Sequence, residues 1–202
     1  MITTDTGVQA LVGLQFQALA ETLAGQPTSI ADAPSLCEGW NVRHVVAHMT
    51  MAARYDGPAY MAELAAVGHN FEALSNKIAR RDGERPFDTL LDDLWSDTMA
   101  AWAFPGGGAI GTLAHVVIHG LDITVALGLP RTADDQATRL ILDSLTTGDL
   151  ASSFGTAPGG RKLKATDLEW QSGNGTVLEA DAGDLILALA GRPRPQLTLA
   201  VQ

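Results

Sequence analysis

The stretch Ala114 to Ala126, AHVVIHGLDITVA, constrains this chain more than any other. Val116, Val117, Ile118, Leu121, Ile123 and Val125 cover nearly every side of it, and a helix that is apolar all round is a buried helix. Yet His115, His119 and Asp122 recur at spacings of four and three, which stacks them on one stripe of that helix. A buried polar group without a partner costs roughly 1–3 kcal/mol, so the stripe must be satisfied by something. Two imidazoles one turn apart can hold a metal ion. They can equally be core histidines bonded to nearby carbonyls, and the HxxxH spacing alone does not decide between the two.

The rest of the composition narrows the setting. A chain of 202 residues is long enough for one domain with a real core and a small appendage. Hydrophobic residues at 46% against 18% charged describe a globular chain and not a disordered one. A net charge of −10 argues against a nucleic-acid surface and against an anionic membrane surface. The single cysteine, Cys37, excludes an internal disulfide and fits a reducing compartment. The N-terminus lacks a basic segment followed by an apolar one, and no run approaches the ~18 apolar residues of a membrane span. The expected location is the cytoplasm, with the chain a monomer or homodimer.

Helical periodicity runs along most of the chain. Residues 6–24 carry Val8, Leu11, Val12, Leu19 and Leu23 on one side, with Gly25 as a stop. After a loop with Pro27 and Pro34, Asn41 is the N-cap of a helix expected from Val42 to Tyr55, which Gly57-Pro58 interrupts. Shorter helices are expected over 59–67 and over Phe71–Arg81. Pro86 suits the first turn of a longer helix to about Ala103. The run FPGGGAIG has no preceding strand and no GKS/T, so it is a turn and not a phosphate loop. It leads into the central helix, expected to end near Gly128, and a last bundle helix is expected over Asp134–Asp149. Composition changes after Leu150, where SSFGTAPGG reads as a linker. Strands are expected over 161–165, 168–171 and 176–180, with Ser-Gly-Asn-Gly as a hairpin turn between the last two. A helix over 182–190 and a strand over 196–201 complete the tail. The expected organisation is a helical bundle, residues 1–150, followed by a small α/β appendage, residues 151–202. The fold class is mostly α, α+β overall.

On this layout His48, His115 and His119 fall on core-facing positions of two long helices, and bundle interiors are where metal sites of this kind are built. Three imidazoles with an open fourth position suit a catalytic zinc site better than a structural one. Asp122 can accept a ring N–H from outside the ligand shell, ligate, or serve the helix end. His44, one turn before His48, can join a four-histidine set, but it lies in the first helical turn, where capping or solvation competes. His69 is a loop residue.

At these residues the chain resembles a known family. CEGWNVRHVVAHM followed far downstream by HVVIHGLDITVALGLP is similar to the mycothiol-dependent maleylpyruvate isomerase family, a branch of the DinB-like metal-binding bundles. The tail from LKATDLEWQSGNG to RPRPQLTL is similar to that family's C-terminal domain. The resemblance implies an up-and-down four-helix bundle with a divalent metal held between its helices. It matches His48 and His119 to histidine ligands. His115 stands where the isomerases often carry Glu, a departure that changes the charge at the metal. It also matches Arg192, in Gly-Arg-Pro, to a tail arginine able to bind a substrate carboxylate; the plainer alternative is a surface residue at a helix end. Trp40 can line the site mouth or pack in the core, and Cys37 has no catalytic role in the family's block.

The implied chemistry is that of a low-molecular-weight thiol, mycothiol in that family. A free thiol has a pKa of about 8.5, whereas one bound to Zn²⁺ is a thiolate at neutral pH. In an isomerase it adds reversibly to an activated double bond, allowing rotation and elimination. In a transferase it attacks a small electrophile and stays attached. Zinc leads on ligand type, with nickel, iron and copper also suited to imidazoles. The expected function is a metal-dependent transferase or isomerase using such a thiol. The alternatives are a divalent-metal-binding protein of the same fold without turnover, and a structural bundle whose histidines are merely satisfied.

Overall fold

The periodic apolar residues do become helices in the computed structural model, which describes residues 5–148, 150–154, 156–194, 197 and 199–201. Two compact units divide the chain, Met1–Thr132 and Ala133–Gln202. The first holds α1 (Asp5–Ala24), α2 (Val42–Met49), α3 (Gly57–Ala66), α4 (Phe71–Gly83), α5 (Phe87–Leu94), α6 (Asp97–Ala101) and α7 (Gly108–Thr124). No helix among the described residues is long and apolar enough to cross a membrane.

In the first unit α7 packs against α1 and α2, α2 also against α4 and α5, and α1 against α5 and α6. Phe16, Leu19, Leu23, Met49, Leu90, Leu94, Met99, Leu113 and Ile123 are fully buried in it. Each such side chain contributes about 1.5–3 kcal/mol on burial, which is what holds the α2 and α7 backbones beside one another.

Several helices differ from their expected lengths because polar side chains near their ends compete for the backbone. α2 stops at Met49, where Thr50 turns its hydroxyl back to the Val46 carbonyl at 2.8 Å and the chain tightens into a 3₁₀ turn over Met51–Ala53. The single helix expected from Pro86 to Ala103 is two. Ser96 breaks it by donating to the Asp93 carbonyl at 2.7 Å while capping the Met99 N–H at 3.2 Å. Gly57-Pro58 opens a helix where an interruption was expected, since Asp56 caps α3 and proline fits its first turn.

Gly83, at the end of α4, meets α2 at a tight spot. A Cβ there would lie 2.7 Å from His44 Cδ2. The His44 ring cannot simply swing away, because its Nδ1 accepts the Asn41 N–H at 3.3 Å while the Asn41 side chain caps the His44 N–H at 3.1 Å. Gly83→Ala therefore sets a helix-propensity gain against overpacking and loss of a cap. Overpacking costs about 1–3 kcal/mol and a cap about 1 kcal/mol, so the variant should unfold at lower urea. An unchanged or higher midpoint would show that the ring moves freely.

The second unit contains α8 (Asp135–Thr146), β1 (Thr156–Ala157), β2 (Lys162–Ala165), β3 (Gln171–Ser172), β4 (Val177–Ala180), α9 (Ala182–Leu189) and β5 (Ala200–Val201). The helix expected to close the bundle thus groups with the tail, where α8 packs on α9 and Trp170 Nε1 donates to Asp143 Oδ1 at 2.8 Å. Asp149, Gln196 and Thr198, which belong to expected elements, lie outside the described residues. The linker-like stretch contributes β1, which pairs antiparallel with β5.

The expected hairpin between the last two strands of the sheet is not formed. Strand order is β3-β2-β4, with β3 antiparallel and β4 parallel to β2. Gly173 and Gly175 carry the chain across at φ 83° and 108°, and a Cβ at Gly173 would lie 2.5 Å from the Arg161 carbonyl. The Ser-Gly-Asn-Gly signal therefore marks a crossing over the end of β2, which only glycine permits at that approach.

Candidate metal centre

α2 and α7 bring three of the expected residues together. His48 lies on the last turn of α2, and His115 and His119 lie one turn apart on α7. Ring centroids are 5.1 Å apart for His48–His115, 5.0 Å for His48–His119 and 4.8 Å for His115–His119. One ligating atom from each falls within 4.8 Å of the others. Zinc–nitrogen bonds of about 2.0–2.1 Å put tetrahedral nitrogens about 3.3 Å apart, which the 4.8 Å bound on the trio accommodates.

The electrostatics suit a neutral His115. Burial, and after it the neighbouring His119 and His48 rings, holds His115 well below the usual imidazole range. His115 Nε2 is buried and has no hydrogen-bond partner among the described residues. An orphan of this kind costs about 1–3 kcal/mol, and a cation in the space between the three rings would satisfy it. The donor set and this buried nitrogen both fit a divalent ion.

His119 is fixed from behind. Its Nδ1 lies 3.0 Å from Asp122 Oδ2, and Asp122 is fully buried. An ionised carboxylate only accepts, so the proton of this contact sits on Nδ1 and leaves Nε2 as the nitrogen with a lone pair. Cys37 reaches the same oxygen, donating from Sγ at 3.1 Å, and its sulfur lies 3.7 Å from His119 Nδ1. Cys37, His119 and Asp122 thus form a second cluster with ligand-like spacing.

Aromatic rings wall the histidines. Trp40 lies 5.0 Å from His48 between centroids and is oriented by its Nε1, which donates to Asn76 Oδ1 at 2.8 Å. Trp102 and Phe104 lie 5.7 and 6.1 Å from His115. Gln9 of α1 holds that segment by donating to the carbonyls of Ala100 and Trp102 at 2.7 and 3.1 Å. The glycine run then shows its purpose. Gly107 and Gly111 lack the side chains that would crowd Phe104, whose N–H donates to Thr112 Oγ1 at 2.7 Å, so the ring folds back onto the first turn of α7.

Three further residues singled out in the sequence have their own local settings. His44 is committed to the α2 capping box, an arrangement that needs a lone pair on Nδ1; burial and then the Arg80 charge lower its pKa accordingly. His69 is an exposed residue at φ 59° in the turn between α3 and α4. Arg192 belongs to the second unit, where its Nη1 donates to the Ala190 carbonyl at 3.1 Å beyond the end of α9. Cys37, Trp102 and Phe104 were not anticipated in the site. For Trp102 and Phe104 the available signal was their position flanking the turn that enters α7.

Residues 12–106 match the mycothiol maleylpyruvate isomerase N-terminal domain family. No curated protein matches the chain. Among solved structures, a mutant of the mycothiol-dependent maleylpyruvate isomerase aligns at 18% identity with a TM-score of 0.50, covering 94% of this chain and 90% of that one. A second structure of the mycothiol-dependent maleylpyruvate isomerase aligns at 17% identity and a TM-score of 0.46, covering 98% and 93%. At that identity the first likeness shows the fold alone.

Proposed function

Because residues 12–106 of this chain match the mycothiol maleylpyruvate isomerase N-terminal domain family, we propose that it is a divalent-metal-dependent enzyme that uses a low-molecular-weight thiol, mycothiol foremost, against a small electrophile by S-transfer or cis–trans isomerisation. The observation that carries this reading is the convergence of His48, His115 and His119 around the buried, unsatisfied Nε2 of His115. These three side chains hold the ion, with zinc the best match to the donor set. A bound divalent ion lowers the pKa of a coordinating thiol, so that a sulfur nucleophile is present at neutral pH.

The chain's own residues supply the rest. Asp122 holds His119 in the tautomer that presents Nε2. The lowered pKa of His115 keeps its ring neutral, as a ligand must be. Trp40, Trp102 and Phe104 flank the rings and give an incoming thiol or electrophile an apolar wall. Three histidines would bring no negative charge to a bound dication, so they would favour an anionic ligand more than a set with Glu would.

Cobalt substitution tests the reading. Titrating mycothiol, or cysteine as a simpler thiol, into the Co²⁺ protein should raise a sulfur-to-cobalt charge-transfer band that saturates with thiol. Absence of the band at millimolar thiol, on protein shown to contain cobalt, would overturn the thiol chemistry and leave a metal-binding protein of this fold.

A further inference from the structure

The loop from Ser35 to Trp40 joins the two halves of the site. Ser35 Oγ accepts the Cys37 N–H at 3.1 Å and donates to the Trp40 carbonyl at 2.9 Å, while the Trp40 N–H donates to the Cys37 carbonyl at 3.0 Å. The loop is thus closed on itself and presents two side chains in fixed directions. Trp40 goes to His48 on α2, and Cys37 goes to Asp122 on α7. The backbone repeats the second attachment, since the Leu36 N–H donates to the Asp122 carbonyl at 2.9 Å.

Asp122 Oδ2 therefore receives two donors, His119 Nδ1–H at 3.0 Å and the Cys37 thiol at 3.1 Å. A thiol is a weak donor, so its contribution to stability is small. Its contribution to direction is larger. A carboxylate on the same helix as its histidine has its own side-chain torsions to settle, and the sulfur, 3.1 Å from the acid and 3.7 Å from the ring, bears on that choice. We propose that Cys37 is a positioning residue. Its thiol holds the Asp122 carboxylate in the direction that fixes the His119 ring for ligation. This rests on the reading of His48, His115 and His119 as the metal ligands.

The nearest rival is Cys37 acting as a ligand itself, with Asp122 and His119. That arrangement would turn His119 Nδ1 away from its proton and leave His115 Nε2 without a cation. The three-histidine arrangement answers both points.

Equilibrium Co²⁺ titration of the full-length protein and of Cys37→Ala and Cys37→Ser, each checked for folding by circular dichroism, tests the proposal. Loss of a residue that directly orients a ligand weakens metal binding about 10–100-fold. Cys37 acts one step further out, so Cys37→Ala should weaken Co²⁺ binding about 3–10-fold and shift the d–d envelope. Cys37→Ser, which keeps a donor, should recover most of both. In the metal-free protein, long-range ¹⁵N–¹H spectra should show His119 as the Nδ1–H tautomer and a mixture in Cys37→Ala. Equal affinity in all three proteins, equal loss in both variants, an unchanged tautomer in Cys37→Ala, or a sulfur-to-cobalt band in thiol-free native protein would each overturn the role. Failure of the native protein to bind Co²⁺ at all would instead remove the metal reading, and this proposal with it.

Discussion

On the proposed metal reading, native protein purified without a histidine tag or added metal should contain a divalent ion, and His119→Ala should contain almost none. His119 is the proposed ligand with the most support around it: it shares α7 with His115, its ring centroid lies 5.0 Å from that of His48, and its Nδ1 meets Asp122 at 3.0 Å. Zinc bound by four ligands is worth about 10–16 kcal/mol, so one of them accounts for about 3–4 kcal/mol, or roughly a 10²–10³-fold loss of affinity. His48→Ala and His115→Ala should behave alike within that range. His69→Asn is the control, since His69 is exposed at φ 59° and asparagine tolerates that region. Elemental analysis of the four variants decides it. Full metal retention in all three ligand variants would remove the site, and loss in His69→Asn would show that the measurement reports general damage.

The convergence of the three histidines was legible because each reports through short-range rules. The α7 pair follows from the helical repeat across an apolar background, and His48 follows from Asn41 as the cap that sets where α2 begins and which way it faces. Cys37 was not legible, because its partner Asp122 lies 85 residues away and is reached from a loop that no periodicity describes. Trp102 and Phe104 were missed for a related reason. FPGGG reads as a turn, and nothing local says that its glycines make room for Phe104. Within the fold, the same limit explains the division into α5 and α6. Apolar spacing continues through Trp95 and Ser96, while the Ser96 hydroxyl turns the backbone aside. In the tail, strand-forming composition was readable, but the parallel pairing of β4 with β2 depends on what Gly173 passes over.

Chemistry of a different kind governs stability, and the largest single effect is expected at Asp82. Its side chain is almost fully buried and accepts from Arg54 Nε at 3.0 Å, Arg81 Nε at 3.0 Å and the Tyr55 hydroxyl at 2.7 Å. Arg54 is buried as well and also pairs with Asp93 at 2.7 Å, which in turn meets Arg85 at 2.6 Å. The network ties the turn after α2 to α4 and α5. Removing one partner of a buried ion pair costs about 3–5 kcal/mol. Arg54 keeps Asp93 and a 2.8 Å bond to Thr50 Oγ1, so Asp82→Asn should cost nearer 2–4 kcal/mol at pH 7. Burial pushes the Asp82 carboxyl up, but the hydrogen bonds from Tyr55, Arg81 and Arg54 outweigh it, and its pKa lies below the ordinary value of 3.8. A depressed carboxyl stabilises the folded state fully above its unfolded pKa and loses that stabilisation as pH falls through the folded one. The native protein should therefore lose stability below about pH 4, and the gap to Asp82→Asn should close over the same range. Urea unfolding of both proteins from pH 7 to pH 3 measures it. A gap that stays constant with pH would mean that Asp82 contributes packing and not charge.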